Sequence, residues 1–249
     1  MPPPRSLRPV GVALVDKPAG PSSFAIVAAL RRHTRARTGH VGTLDPFATG
    51  LLVLLSGAAT RLAPCFVGLD KRYVADVDLT STTSTGDPEG QPLEEHAAPS
   101  QFELEEALER LRGEVQLPVP AASAVKIGGE RAYKLARRGV VVEMPVRRSL
   151  VHALDVITYT NESVRLALHV SSGTYVRSIA QALGGHCTML RRTAIGPFDV
   201  EESAPVEDAV LVPARGALAR LPAAALERVP EAVRSGVLAL DNTSGDTAA

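Results

Sequence analysis

The chain has 249 residues, 45% of them hydrophobic, and its 27 basic and 27 acidic side chains give no net charge. This length allows one large domain, or one domain with an appendage, whose core needs no disulfide or metal for stability. Cys65 and Cys187 have neither metal-ligand nor redox spacing, so we expect two buried thiols and no zinc site. The sequence has no signal-peptide core and no apolar run of membrane-spanning length, which predicts a soluble cytoplasmic protein.

The charge is unevenly distributed along the chain. Residues 1–192 contain 23 Lys and Arg against 18 Asp and Glu, whereas residues 193–249 contain 4 against 9. Basic residues cluster in 31–40, which has four arginines and no acid, and again in 131–139. Such clusters suit a polyanion-binding face, although solvated helix faces look similar. Composition therefore leaves nucleic-acid binding open.

The first predicted elements are a strand, a helix and a second strand. Residues 11–20 have the pattern of a short strand that ends in a Lys-Pro-Ala-Gly turn. A helix follows with Ser22 or Ser23 as its N-cap, because apolar residues then recur at helical spacing. Residues 71–79 alternate between apolar and polar side chains, which predicts a half-buried strand.

The middle of the chain is richer in turns. Residues 81–92 are predicted to form a loop, and Ser100 with Glu103 forms a capping box that starts a helix. Residues 117–139 begin proline-rich, pass through two glycines and are predicted to end in a short basic helix. Residues 163–173 alternate again and predict another strand.

The last elements complete an α+β pattern. Helical spacing runs from Tyr175 to Gly184, and the Ala- and Pro-rich end predicts one helix interrupted by Pro230. Strands outnumber strand-helix-strand units, so a mixed or antiparallel sheet is favoured over a doubly wound one.

One short segment, His40 to Gly50, combines features that suit chemistry. It reads "HVGTLDPFATG" and holds one carboxylate, Asp45, directly before Pro46. Asp-Pro is common turn chemistry. Proline also restricts the backbone of the residue before it, and a nucleophile needs such a fixed aim.

Three further polar or aromatic groups stand at the ends of apolar elements. Tyr175 and Arg177 follow a predicted strand, where a cation could keep a buried carboxylate ionised. Tyr73 begins the alternating strand, and simple packing would also explain both tyrosines. Spacing alone does not show that these groups meet.

Other familiar chemistries lack their motifs in this sequence. The six histidines form no HxxxH or HxxE group, so no metal site is predicted. The chain has no P-loop, no GxGxxG and no GxSxG, so neither a nucleotide cofactor nor a serine hydrolase is expected.

Six segments, in order and in spacing, resemble the TruB family of tRNA pseudouridine synthases. The resemblance runs from about residue 9 to about residue 200, and its most specific part is the G-x-L-D-P-x-A-T-G core around Asp45. The six segments are "GVALVDKPAGPSS", "GHVGTLDPFATGLLVL", "DKRYVADVDL", "SAVKIGGERAYKLARRG", "SSGTYVRSIAQALG" and "LRRTAIGPF". The resemblance implies a pseudouridine-synthase fold, with a central, mixed and largely antiparallel sheet flanked by helices and loops.

The resemblance also implies an activity and a set of roles. The expected reaction is isomerisation of uridine 55 in the T loop of tRNA to pseudouridine, by base flipping and without a cofactor or metal. Asp45 takes the position of the catalytic nucleophile, and Arg177 that of its ion-pair partner. The remaining carried-over positions are His40 at the nucleotide, Tyr73 stacked on the flipped base, Tyr175 and Leu190 in the pocket, and Lys17 and Pro18 of the "DKP" motif, which supports the Asp45 loop.

An RNA-gripping insertion is implied at about residues 117–148, within a catalytic domain of residues 9–204. Residues 205–249 would be a short appendage, truncated relative to a PUA-type domain. We expect a monomer that binds the T-arm stem-loop of tRNA and makes no membrane contact. The cations expected to meet phosphates are Lys126, Arg131, Lys134, Arg137 and Arg138.

The sequence departs from the family pattern at Ser84, where an acid is usual, whereas Asp87 keeps the second acid; the role of Ser84 stays open. Three alternatives remain at this point. They are a pseudouridine synthase acting on another RNA uridine, a non-catalytic RNA-binding or tRNA-folding module, and a glycoside or nucleoside hydrolase. The last would need a second carboxylate, and none stands out.

Overall fold

The structure is a computed structural model that describes residues 9–241 apart from 124, 133, 134, 136, 137, 139 and 141. The chain divides into two compact units. Unit 1 combines the chain up to Lys71 with the chain from Arg191 onward, and unit 2 is Arg72–Leu190.

Strands and short helices alternate along the chain. In chain order the elements are β1 (Gly11–Lys17), α1 (Ser23–Thr34), β2 (Thr38–Val41), β3 (Thr49–Ser56), a 3-10 segment (Gly57–Leu62), α2 (Ala63–Val67), β4 (Lys71–Asp78), β5 (Ser81–Thr83), β6 (Pro92–Glu95), α3 (Gln101–Arg110), β7 (Gly113–Pro118), β8 (Lys126–Ile127), β9 (Glu130–Arg131), β10 (Val146–Tyr159), β11 (Ser163–Val170), α4 (Val176–Ala182), β12 (His186–Ile195), β13 (Phe198–Asp199), a second 3-10 segment (Val200–Glu202), α5 (Ala214–Ala219), α6 (Ala223–Leu226) and α7 (Glu231–Asp241).

Unit 1 is built around β3. This strand pairs antiparallel with β1 and β2, and parallel with the second half of β12. Its residues alternate between two cores: Leu52 and Leu54 pack with Ile26 and Leu30 of α1, whereas the odd-numbered residues 51–55 pack with the C-terminal helices. Burial on both faces explains why "LLVLL" is a continuous apolar run and not an alternating one.

Unit 2 has the strand order β4-β11-β10-β7, with the first half of β12 beside β4. The long strand β10 pairs antiparallel with both β11 and β7. The buried face of α3 includes Leu104 and Leu108, and that of α4 includes Ile179 and Ala180. The α+β class and the mixed, largely antiparallel pairing predicted from the sequence are confirmed.

Two local predictions need correction. Residues 81–92 are not a simple loop, because β5 and β6 pair antiparallel and enclose the turn-rich part. The C-terminal helix is two helices, α6 and α7, separated at Pro230, whose ring and missing N–H end a helix. The N-cap at Ser22 and the Ser100–Glu103 capping box are present as predicted. Most of the predicted basic helix near 131–139 lies outside the described residues.

Residues 205–241 pack inside unit 1. Val206 joins the core beside α1, and Leu218 and Val237 join the core on the other face of β3. Within the described residues, no helix is long and apolar enough to cross a membrane.

Candidate functional site

Asp45 lies in the loop between β2 and β3, in unit 1. Its carbonyl accepts a hydrogen bond from the Ala48 amide at 3.2 Å, which closes a tight turn around Pro46. Gly42 and Gly50, at the two ends of the loop, have φ of +84° and +99°. At Gly50 a Cβ atom would lie 2.2 Å from the Arg192 carbonyl oxygen, so the close β3–β12 pairing requires glycine there.

Ser23 holds the residue before Asp45 by both of its backbone groups. The Ser23 hydroxyl donates to the Leu44 carbonyl at 2.9 Å and accepts from the Leu44 amide at 2.8 Å. Ser23 is the first residue of α1 and is 1% exposed, so no water replaces these bonds. The start of α1 therefore fixes the backbone position of the loop next to Asp45.

Lys17 holds the residues after Asp45. Its side chain is fully buried at the end of β1, and its ammonium donates to the carbonyls of Pro46 at 3.0 Å and Ala48 at 2.7 Å. A third bond goes to the Pro18 carbonyl at 2.9 Å. A buried ammonium needs such partners, because an unpaired one would be very costly. In this geometry Lys17 acts on the loop, which is the supporting role that the DKP resemblance implies.

Arg192 of β12 holds the beginning and the end of the same loop. It is 1% exposed, and its guanidinium donates to the Gly42 carbonyl at 2.9 Å and the Leu51 carbonyl at 2.7 Å. Three buried polar side chains, from β1, α1 and β12, thus hold the Asp45 loop. We call Lys17, Ser23 and Arg192 the loop clamps.

Two titratable groups near the clamps have shifted pKa values. Burial, and secondarily the charge of Arg192, lowers the pKa of His40 below its ordinary value, so this imidazole is neutral at pH 7. Lys71 is buried and donates to the carbonyls of Val67 and Leu69. Burial first, and then Arg192, lowers the pKa of Lys71 to about 8.

Pro18 is exposed and lines a cavity of about 490 Å³ in unit 1. The Asp16–Arg191 ion pair, at 2.8 Å, also lines this cavity. Lys17, three residues of α1 and residues 205–207 also line the cavity.

Arg177 organises unit 2. It is 2% exposed, and its guanidinium lies 3.0 Å from the carboxylate of Asp87. It also donates to the carbonyls of Thr85 at 2.8 Å and Ala122 at 3.0 Å. Arg177 therefore ties the β5–β6 turn and the start of the insertion to α4. Asp45 belongs to unit 1, and the predicted Asp45–Arg177 pair stays a prediction.

The β5–β6 turn is built around Asp87. Its carboxylate accepts from the Thr85 hydroxyl at 2.5 Å and the Glu89 amide at 3.0 Å, in addition to pairing with Arg177. Ser84 closes the turn from outside, because its amide donates to the Gln91 carbonyl and its hydroxyl accepts from the Gln91 amide at 3.0 Å. Ser84 thus stabilises the turn, although the resemblance leads us to expect an acid at this position.

The remaining predicted pocket residues all lie in unit 2. Tyr175 is partly exposed at the N-cap position of α4, two residues before Arg177. Tyr73 is 8% exposed on β4, and Leu190 is 5% exposed on the neighbouring strand β12. Their roles toward a substrate stay predictions.

The predicted RNA-gripping cations are only partly described. Lys126 and Arg131 are exposed and directly opposite each other in the β8–β9 hairpin. Their role toward RNA stays a prediction. Arg138 instead pairs with Glu130 at 2.8 Å. Lys134 and Arg137 lie outside the described residues.

A model described as TruB family pseudouridylate synthase (N terminal domain) matches residues 31–176, more than half of the chain. The chain belongs to the TruB family. Pseudouridylate synthases are isomerases, and the chain is assigned to that enzyme class.

Curated relatives agree with the TruB assignment. The chain is 44% identical over 212 residues to tRNA pseudouridine synthase B of Xanthomonas campestris pv. campestris strain B100, covering 81% of this chain and 69% of that protein. It is 39% identical over 236 residues to the Azoarcus sp. strain BH72 protein of the same name, covering 92% and 73%.

Solved structures also resemble this TruB member. A Cbf5-Nop10-Gar1 complex matches with a TM-score of 0.60 and 28% identity, over 81% of this chain and 54% of that one. An H/ACA RNP bound to a substrate RNA matches with a TM-score of 0.58 and 26% identity, over 82% and 53%. The chain thus spans about half the length of these solved chains.

Sequence reasoning missed three residues of this TruB site: Ser23, Arg192 and Asp87. The sequence patterns mark Ser23 as a candidate helix cap and place Arg192 in the segment "LRRTAIGPF". They show Asp87 as a retained acid and indicate no partner for it. Their partners lie 21, 150 and 90 positions away, so local patterns carry no signal for them.

Proposed function

We propose that this TruB member isomerises uridine 55 in the T loop of tRNA to pseudouridine, with Asp45 as the catalytic nucleophile. The observation that supports this best is the Asp45 loop, which is held on three sides by Lys17, Ser23 and Arg192. A binding module needs no carboxylate with such a fixed backbone. A nucleophile does, because misplacement by about 1 Å can cost about 100-fold in rate.

The reaction balances without another reactant. The bond between ribose C1′ and uracil N1 breaks, the base turns, and a bond forms between C1′ and C5. The proton on C5 leaves and N1 gains one, so the product is an isomer of the substrate. Asp45 would either bond to C1′ while the base turns, or take the C2′ proton so that a glycal forms and return it when C1′ bonds to C5. In both routes, water must be excluded to keep the base.

Residues of unit 2 would receive the flipped base. Flipping takes the uridine out of its stack, and Tyr73 would stack on it in the pocket lined by Tyr175 and Leu190. Arg177 would keep Asp45 ionised while also holding Asp87. His40, neutral because of its lowered pKa, would approach the RNA at the start of the loop.

The test is tritium release from tRNA labelled at C5 of uridine. We expect one tritium per target uridine with the wild-type protein and at least a 1,000-fold slower release, on the order of losing a nucleophile, with Asp45→Asn. RNA binding by the variant should be retained. Replacement of uridine 55 by cytidine should abolish release; release that persists would contradict the assigned position, and equal rates for both proteins would contradict the role of Asp45.

A second experiment tests the RNA-gripping insertion. Lys126→Ala and Arg131→Ala should each weaken tRNA binding and reduce the slope of log affinity against log salt by roughly 0.7–0.9. Arg165→Ala is the matched control, because its guanidinium is exposed on β11, outside the β8–β9 hairpin. Equal slopes for all three variants would show that the β8–β9 hairpin does not contact phosphates.

A different target RNA is the second candidate. It is favoured only by the structural likeness to an H/ACA RNP bound to a substrate RNA, at 26% identity. The higher identity, 44%, to a tRNA pseudouridine synthase B favours tRNA. Isolated T-arm stem-loops and non-tRNA uridine-containing hairpins, tested side by side, separate the two.

A further inference from the structure

Phe24, in the first turn of α1, is 71% exposed to solvent. The chain buries other phenylalanines well, since Phe66 and Phe198 are 0% and 1% exposed. A single exposed apolar side chain is common in folded proteins and by itself assigns nothing. Its neighbour is what makes Phe24 informative.

Phe24 packs against His40, the residue that begins the Asp45 segment. The two ring centroids are 5.1 Å apart and the rings are inclined by 71°, an edge-to-face contact. The Nδ1 atom of His40 is buried and has no hydrogen-bond partner among the described residues. No bond at Nδ1 therefore orients the imidazole, and packing against Phe24 contributes to its orientation.

The segment that joins the two rings along the chain carries only basic charge. Helix α1 leads away from Phe24 to the α1–β2 connection, about 18 Å away at 1.5 Å per residue, and β2 returns to His40. Residues 21–44 contain no acid. The exposed cations at the far end are Arg31, Arg32, Arg35 and Arg37.

We propose that Phe24 and His40 form a two-ring surface on which an unpaired base of the RNA loop, next to the target uridine, stacks, while the arginines at the α1–β2 connection contact the phosphates of the same strand. This inference rests on the proposed function, because the RNA enters through it. Aromatic rings that stack on bases, together with arginines that contact the phosphates farther along the strand, bind single-stranded RNA with little dependence on base identity.

Stacking predicts a specific pattern of affinities. With Asp45→Asn as the background, so that binding is measured without turnover, Phe24→Ala and Phe24→Leu should weaken binding of a T-arm stem-loop by roughly 10- to 100-fold. Phe24→Tyr should bind within about threefold of the background, because it keeps a stacking ring. Phe102→Ala is the matched control, since Phe102 is 70% exposed on α3, and its affinity should not change.

The absence of tryptophan from the chain allows a direct optical test. A Phe24→Trp variant has one indole, and stacking of a base on it should quench its fluorescence as T-arm RNA is added. The Phe102→Trp variant should bind the same RNA without quenching. Abasic substitutions through the loop should identify one nucleotide whose removal cancels the effect of Phe24→Ala, as expected for a direct contact.

Failure of this inference is distinguishable from failure of the proposed function. Unchanged affinity of Phe24→Ala and Phe24→Leu, or unchanged fluorescence of Phe24→Trp at saturating RNA, would overturn the stacking surface while tritium release by the wild type continued. Wild-type protein that releases no tritium would overturn the function instead. If Phe24 served a protein partner or a membrane, RNA affinity would be unaffected, which is again the overturning result.

Discussion

The hydroxyl of Ser23 makes two hydrogen bonds to one residue, Leu44, donating to its carbonyl and accepting from its amide. Leu44 immediately precedes Asp45 in the chain. Ser23, the first residue of α1, therefore holds the peptide group that joins Leu44 to the catalytic candidate. Both bonds are buried. Together with Lys17 and Arg192, this contact makes the loop a part of the unit 1 framework.

Ser23→Ala should therefore reduce turnover more than RNA binding. The substitution leaves a buried amide and a buried carbonyl of Leu44 unpaired, at about 1–3 kcal/mol for each group. We expect a lower free energy of unfolding and a fall in kcat with little change in KM. The neighbour provides the control: Ser22→Ala removes an exposed N-cap bond to Ala25, costing about 1 kcal/mol, and should leave kcat unchanged. Equal effects on kcat would contradict a positioning role for Ser23.

Gly50→Ala should be far more damaging than Gly20→Ala, although both glycines have nearly the same φ, +99° and +102°. Backbone strain alone costs about 1–3 kcal/mol in such regions and applies to both. Only at Gly50 does the new Cβ collide with backbone, 2.2 Å from the Arg192 carbonyl oxygen; nothing lies within 4 Å at Gly20. Urea unfolding of both variants measures the difference, and similar losses would show that β12 can move away from β3.

Arg177 and Asp87 should be coupled energetically. Their side chains are 2% and 5% exposed, so removing one partner leaves a buried charge, at a cost of about 3–5 kcal/mol. We expect Arg177→Met and Asp87→Leu each to destabilise the protein strongly, and the double variant to be much less destabilised than the sum. A double-mutant cycle of unfolding free energies checks this, and additive losses would contradict the coupling. Any activity loss in Arg177→Met must be interpreted against this destabilisation.

Lys71 should give the protein a stability that rises with pH. Its folded pKa, about 8, is below the ordinary value of 10.5, so between these pH values the unfolded chain binds more protons. Stability therefore increases from pH 8 toward pH 10.5, by up to about 3 kcal/mol for a shift of this size. Below pH 8 both states are protonated and the penalty is fully present.

Unfolding of the wild type and of Lys71→Met at pH 7.5, 8.5 and 9.5 tests this sign. The advantage of the wild type over the variant should grow with pH, because the variant has no amine to titrate. Lys126→Met, at an exposed position, is the control whose difference from the wild type should stay constant. A constant difference for Lys71→Met as well would mean that this lysine keeps its ordinary pKa.

Local patterns predicted much of the fold correctly. The caps at Ser22 and Ser100 and the alternation in β4 and β11 depend on residues only a few positions apart. The local sequence is therefore enough to predict these elements. The turn-rich stretch 81–92 was wrongly predicted as a loop only. The pairing of Ser81 with Glu95 is a contact that turn propensities do not encode.

The sequence by itself determined the family, the position of Asp45 before Pro46 and the clustering of basic residues, because motif residues and proline restraints are local properties. Only the tertiary structure decided what holds that aspartate: a serine counted as a helix cap, a lysine from the end of β1 and an arginine from β12. It also decided that Arg177 pairs with Asp87 and that Phe24 lies against His40. Buried polar groups need hydrogen-bond partners, and the folded chain supplies these from residues that are distant in sequence. Local sequence spacing therefore does not predict them.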